Sequence, residues 1–106
     1  MPRYLIEASY STEGAKGVAE KGGTARRQAV DQLIAAAGGK VESFYFAFGD
    51  PDVYAIVELP SNEAAAAIAL SINRTSATSI RTVVLLTPEE VDAAAKMAPE
   101  YRPPGA

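Results

Sequence analysis

The sequence predicts an α+β domain built on one four-stranded antiparallel sheet, in the order βαββαβ, with a short helix after the last strand. Three observations carry that prediction. Four short runs are rich in branched and aromatic residues. Alanine-rich segments with helix caps separate the first run from the second and the third from the fourth. Only the turn "GDPD" (49–52) separates the second from the third.

"RYLIEASY" (3–10) is the first strand, and Ser11 or Thr12 caps the helix after it. From Glu13 to Ala37 the chain is helical in character, but Gly22-Gly23 marks a bend that divides it into 13–21 and 24–37. "KVESFYFAF" (40–48) and "VYAIVEL" (53–59) form a hairpin whose turn contains Pro51, a residue without a ladder donor. "PSNEAAAAIALSIN" (60–73) opens on a proline and a serine cap and is the second long helix; "SIRTVVLL" (79–86) is the fourth strand. In "TPEEVDAAAKM", Thr87 as cap, Pro88 at the first helical position and Glu90 form a capping box for a helix over 88–97. Residues 1–97 therefore make a single domain and 98–106 an extended proline-rich tail, with Tyr101 a candidate anchor on a neighbouring subunit. This element order suggests the ferredoxin-like arrangement, with both long helices on one face of the sheet.

A chain of 106 residues supports one core, and 48% hydrophobic with 22% charged residues excludes a disordered or fibrous chain. There is no cysteine and no histidine. Thiolate chemistry, the usual base at neutral pH and the usual transition-metal ligands are thereby removed, so neither metal nor cofactor is expected. Any catalysis would rest on carboxylates, Lys, Arg or Tyr. A net charge of -3 gives no general attraction to nucleic acid or anionic lipid. No apolar run approaches the roughly 20 residues of a membrane span. The start "MPRYLIEASY" lacks the pattern of a signal peptide, and a cytoplasmic location is expected.

Strict alternation places Tyr4, Ile6, Val41, Tyr45 and Val57 on the helix-covered face of the sheet, and Leu5, Ile56 and all three phenylalanines, Phe44, Phe46 and Phe48, on the other. Such an apolar face exceeds what a soluble monomer normally exposes. A second copy of the same sheet is the expected cover, giving a homodimer or higher homo-oligomer with the phenylalanines at its interface. The same face carries Glu7, Glu58 and Arg81 on neighbouring strands. They form either an ion-pair cluster that fixes how two sheets dock or, with Tyr54 and with Asp52 at the mouth, the lining of an inter-sheet cavity for a small anionic or polar ligand. Base stacking on RNA is disfavoured, because the central first strand offers Leu5 and Glu7 rather than aromatics.

Gly22, Gly23 and Thr24 offer a second candidate. With Thr24 as a cap and Arg26 and Arg27 adding charge, the segment reads either as an anion-binding helix start or as a bend whose arginines pair with Asp31 or Glu20. Asp50 and Asp52 are too few carboxylates for a Ca²⁺ or Mg²⁺ site.

The stretches "GGTARRQAV", "GGKVESFYFAFGDPDVYAIVELPSNEAAAAIAL" and "RTVVLLTPEEVDAA" together resemble the GYD domain family of small bacterial proteins. The most specific parts are the hairpin with Gly49 and Asp52, the Glu58-Leu59-Pro60 exit and the Leu86-Thr87-Pro88-Glu89-Glu90 cap; Pro51 stands where the family's tyrosine precedes Asp52. The resemblance implies a branch of the dimeric α/β-barrel proteins, a group that includes haem enzymes, cofactor-free monooxygenases, lactone isomerases and effector-binding domains. No established activity comes with the family name.

These readings favour a homo-oligomeric small-molecule-binding or regulatory module. The alternatives are a cofactor-independent lyase, isomerase or monooxygenase with a carboxylate base and Arg81 as electrostatic stabiliser, or a purely structural assembly unit.

Overall fold

A computed structural model describes residues 1–105; Ala106, the last residue of the tail, lies outside the described residues. The elements run β1 (Arg3–Tyr10), α1 (Thr12–Lys21), α2 (Gly23–Ala36), β2 (Lys40–Phe46), β3 (Val53–Glu58), α3 (Asn62–Asn73), β4 (Thr78–Leu85) and α4 (Pro88–Met97). The strands form one open antiparallel sheet in the order β2-β3-β1-β4, consistent with a ferredoxin-like fold.

Local chemistry sets the helix starts. The Ser11 hydroxyl accepts from the Gly14 N–H and the Ser61 hydroxyl from the Ala64 N–H. At α4, Thr87 Oγ1 accepts from the Glu90 N–H while Glu90 Oε1 accepts from the Thr87 N–H, completing the capping box. Gly22 ends α1 and begins α2 with φ +85, a left-handed value that a side chain would strain, so the bend falls there.

The core lies between the sheet and the helices. Tyr4, Ile6, Val57 and Leu59 from the strand side meet Ile34 of α2 with Ala65 and Ile68 of α3, all buried. The Tyr4 hydroxyl donates to Asn62 Oδ1 at 2.7 Å and fixes the start of α3 over β1. By contrast α4 buries none of its residues. A radius of gyration of 16.8 Å, against about 13 Å for a compact chain of this length, reflects an elongated outline of 57 × 33 × 23 Å.

Strict alternation fails in β2. Val41 pairs with Val57, but Ser43 pairs with Ile56, leaving Glu42 as an extra, bulged residue. Every later side chain of the strand therefore changes face. Phe44 and Phe46, opposite Ala55 and Val53, lie on the helix side, and Tyr45, opposite Tyr54, lies on the open side. This corrects the assignment of Phe44 and Phe46 to the open face, and of Tyr45 to the core. Phe48 lies beyond the end of β2, fully exposed. Val84 and Leu86 keep to the helix side at the end of β4 but are more than half exposed.

Candidate functional site

On the open face, β1 places Glu7 between Tyr54 of β3 and Arg81 of β4. Glu7 is 17% exposed at its side chain and its carboxylate lies 3.9 Å from the Arg81 guanidinium, which is 82% exposed. A cavity of about 340 Å³ opens at this point, and Ser9, Asp50 and Ser79 complete its polar wall. Ser9 Oγ donates to Asp50 Oδ1 at 3.2 Å. The cavity thus presents two carboxylates, one cation and three hydroxyls, counting Tyr54.

Glu58 does not join it. Its strand partners are Arg3 and Lys40, four residues along from Glu7, about 13 Å at strand rise. The Lys40 ammonium lies 3.4 Å from the Glu58 carboxylate, and Arg3 Nε donates to Glu42 Oε2 at 2.9 Å. Hydrogen bonding and attraction from Glu42 raise the Arg3 guanidinium above its ordinary value. The expected trio is therefore two clusters: Glu7, Tyr54 and Arg81 at one end, and Arg3, Lys40, Glu42 and Glu58 at the other. Adjacency of strands was legible in the sequence, whereas the antiparallel register that sets residues level with one another was not.

The Gly22-Gly23 segment is also rearranged. Gly22 is the residue before α2, so Thr24 lies inside the helix and caps nothing, and no side chain caps this helix start. Gly23 packs beneath the Phe46 ring, where an added Cβ would lie 2.9 Å from Cε2. The two arginines diverge. Arg27 Nε donates to Asp31 Oδ1 at 2.9 Å and its guanidinium lies 5.9 Å from the Phe44 ring centroid. Arg26 stacks over Tyr10 at 5.7 Å, and its Nε is buried with no hydrogen-bond partner among the described residues. A buried donor of a charged group left unpaired costs about 1–3 kcal/mol or more. Beside Arg26 lies a cavity of about 320 Å³ between α1, α2 and the ends of β1 and β4.

The sequence held a signal for this placement: Arg26 stands four and eight residues before Val30 and Ile34, which puts all three on one helical stripe.

The sequence model of the GYD domain family matches residues 4–95, which span every candidate residue from Glu7 to Arg81. The chain belongs to the GYD domain family. No curated protein and no solved structure matches it. In this GYD domain the hairpin turn is tied down by Asp52. Its backbone N–H donates to the Ala8 carbonyl, its carbonyl accepts from the Ala47 N–H, and Asp52 Oδ2 accepts from the Tyr10 N–H at 2.8 Å. The carboxylate thus closes the end of β1 onto the hairpin. Among the described residues of the GYD domain no three acidic side chains converge as a metal ion would require, and no helix is long and apolar enough to cross a membrane.

Proposed function

We propose that this GYD domain is a homo-oligomeric binding module in which the open faces of two sheets pair and enclose a site for a small polar ligand at Glu7, Tyr54 and Arg81. One observation carries the reading. Helices α1, α2 and α3 lie on one side of the sheet, α4 buries none of its residues, and the other side carries Leu5, Tyr45, Ile56, Val83 and Leu85, none of them buried and Tyr45 and Val83 exposed. Face-to-face sheets pack about 10 Å apart, which leaves room for interdigitated side chains and a small molecule where Glu7, Ser9 and Ser79 recess the surface.

Since the wall offers both signs of charge, the fitting ligand is a small zwitterion, its anionic end toward Arg81 and its cationic end toward Glu7 and Asp50. Native mass spectrometry tests the pairing: the unmodified protein runs as a dimer or larger, and Val83→Asp or Ile56→Lys yields folded monomer. A monomeric unmodified protein at micromolar concentration would refute it. Calorimetric titration with free amino acids tests the site, with binding expected to be lost in Glu7→Gln.

A further inference from the structure

The helix side of the sheet presents a second cavity, independent of any pairing of sheets. Arg26 rises from α2 into the layer between helix and sheet, its guanidinium over the Tyr10 ring and its Nε sealed from water without an acceptor. Burial in a charged group's donor normally comes with a partner, usually a carboxylate. Here no carboxylate is within ion-pair distance: among the described residues the acids in ion pairs are Glu7, Asp31, Glu42 and Glu58, each with another cation. Glu13 lines the adjoining cavity without reaching Arg26, and Lys21 adds a second positive charge there.

The surroundings define the chemistry of a fitting partner. Arg26, Tyr10 and Thr78 also line an apolar cavity of about 30 Å³ toward Val30, Phe44 and Ile72. Arg26 therefore stands between hydrocarbon and the larger cavity of about 320 Å³, a volume in the range of small-ligand sites. The walls of that larger cavity are small and mainly apolar: Gly14, Gly17, Val18, Ala25 and Ala29. At Gly14 a Cβ would collide with the Ala77 carbonyl oxygen, so the helix can approach the sheet end only without a side chain; at Gly17 a Cβ would meet nothing. One side thus offers a planar fork of donors on an aromatic face, the other a short apolar trough.

We propose that this cavity binds a small monocarboxylate, its carboxylate taken by the Arg26 guanidinium and its apolar body laid against Gly17, Val18 and Ala25. An inorganic oxyanion would satisfy the arginine equally but would turn polar oxygens toward Val18 and Ala25, which favours the organic acid. Arginine suits the task because its fork of N–H groups donates to both carboxylate oxygens while its flat face rests on Tyr10.

The probe is sodium benzoate, titrated into isotopically labelled full-length protein at constant ionic strength and followed by NMR, with inorganic phosphate as a parallel arm. Benzoate is expected to produce saturable shifts at the Arg26 Nε–H and at Tyr10, Gly17 and Ala25, with phosphate at least tenfold weaker. Arg26→Met, which keeps the apolar stem, and Gly17→Leu, which fills the trough while favouring the helix, should each weaken benzoate binding at least tenfold. Lys96→Ala, which removes an equal charge from α4, should leave it unchanged. Gly17→Leu keeps the test decisive if Arg26→Met fails to fold. No saturable shift with benzoate, phosphate binding the tighter of the two, or benzoate binding undiminished in Gly17→Leu would each overturn the proposal.

Discussion

Arg81 on the open face of the sheet and Arg26 of α2 on its helix side are provided for in opposite ways. On the open face Arg81 is 82% exposed and still has Glu7 at 3.9 Å, although water alone would satisfy it. On the helix face Arg26 has its Nε buried, an aromatic ring beneath it and no carboxylate, although burial is where a partner matters most. The contrast teaches how to rank the two as ligand-binding groups. An exposed ion pair gains little when a ligand replaces one partner, whereas Arg26 holds no carboxylate for a ligand to displace.

The comparison of faces can be tested first through stability. Ile34→Ala, at a fully buried position on the helix side, should lower unfolding free energy by about 2–5 kcal/mol in urea titration. The partly buried Ile56 on the open side should cost about 1 kcal/mol when replaced by alanine in the monomeric Val83→Asp background. Equal losses would mean that the open face is as closed as the other. The bulge is tested by neighbours: Phe44→Ala should cost about 2 kcal/mol, below the about 3–5 of a fully buried ring, while Tyr45→Ala should leave monomer stability nearly unchanged. Reversal of that order would restore the unbulged register.

Smaller effects follow at the ends of helices. Gly22→Ala forces a Cβ into φ +85 and should cost about 1 kcal/mol, measured by thermal or urea unfolding. Thr87→Ala should cost about 1 kcal/mol of α4 alone, visible in the Cα shifts of 88–97 and barely in global unfolding, because that helix buries no residue. Glu90 makes the same helix pH-sensitive. Its hydrogen bonds with Thr87 hold its carboxyl below the ordinary value of 4.5. The folded state therefore binds the proton less readily than the unfolded one. The cap's support is complete above that ordinary value and is lost as pH falls through the lowered one. Shifts of 88–97 should move toward coil on acidification from pH 6, and Glu90→Gln should abolish that response. The smallest effect is expected for Arg81→Ala, within about 0.5 kcal/mol in stability, since its pair with Glu7 is long and mostly solvated.

Much of this was legible in the chain. The break at Gly22-Gly23, the hairpin around "GDPD" and the Thr87 capping box each rest on local chemistry, and each element begins and ends within two residues of its expected bounds. The site residues were less legible, for two reasons. A single unpaired residue, Glu42, moves Phe44, Tyr45 and Phe46 across the sheet, and nothing local in "KVESFYF" marks where the extra residue falls. Likewise Glu58 belongs with Lys40 rather than with Arg81, a matter of register between distant segments. Arg26 is the intermediate case: its helical stripe was readable, but a charge on that stripe is more economically read as one that reaches water.

By itself, then, the sequence determined element type, order, caps and the absence of His and Cys chemistry, because these depend on neighbours one to four residues apart. Tertiary structure alone decided which aromatics lie beneath the helices, which acids stand level with which cations, and that Arg26 rests over Tyr10 with its Nε buried and no carboxylate beside it. Those outcomes depend on strand register and on the approach of a helix layer to a sheet. Both are set by the packing of the whole domain rather than by any one stretch of chain.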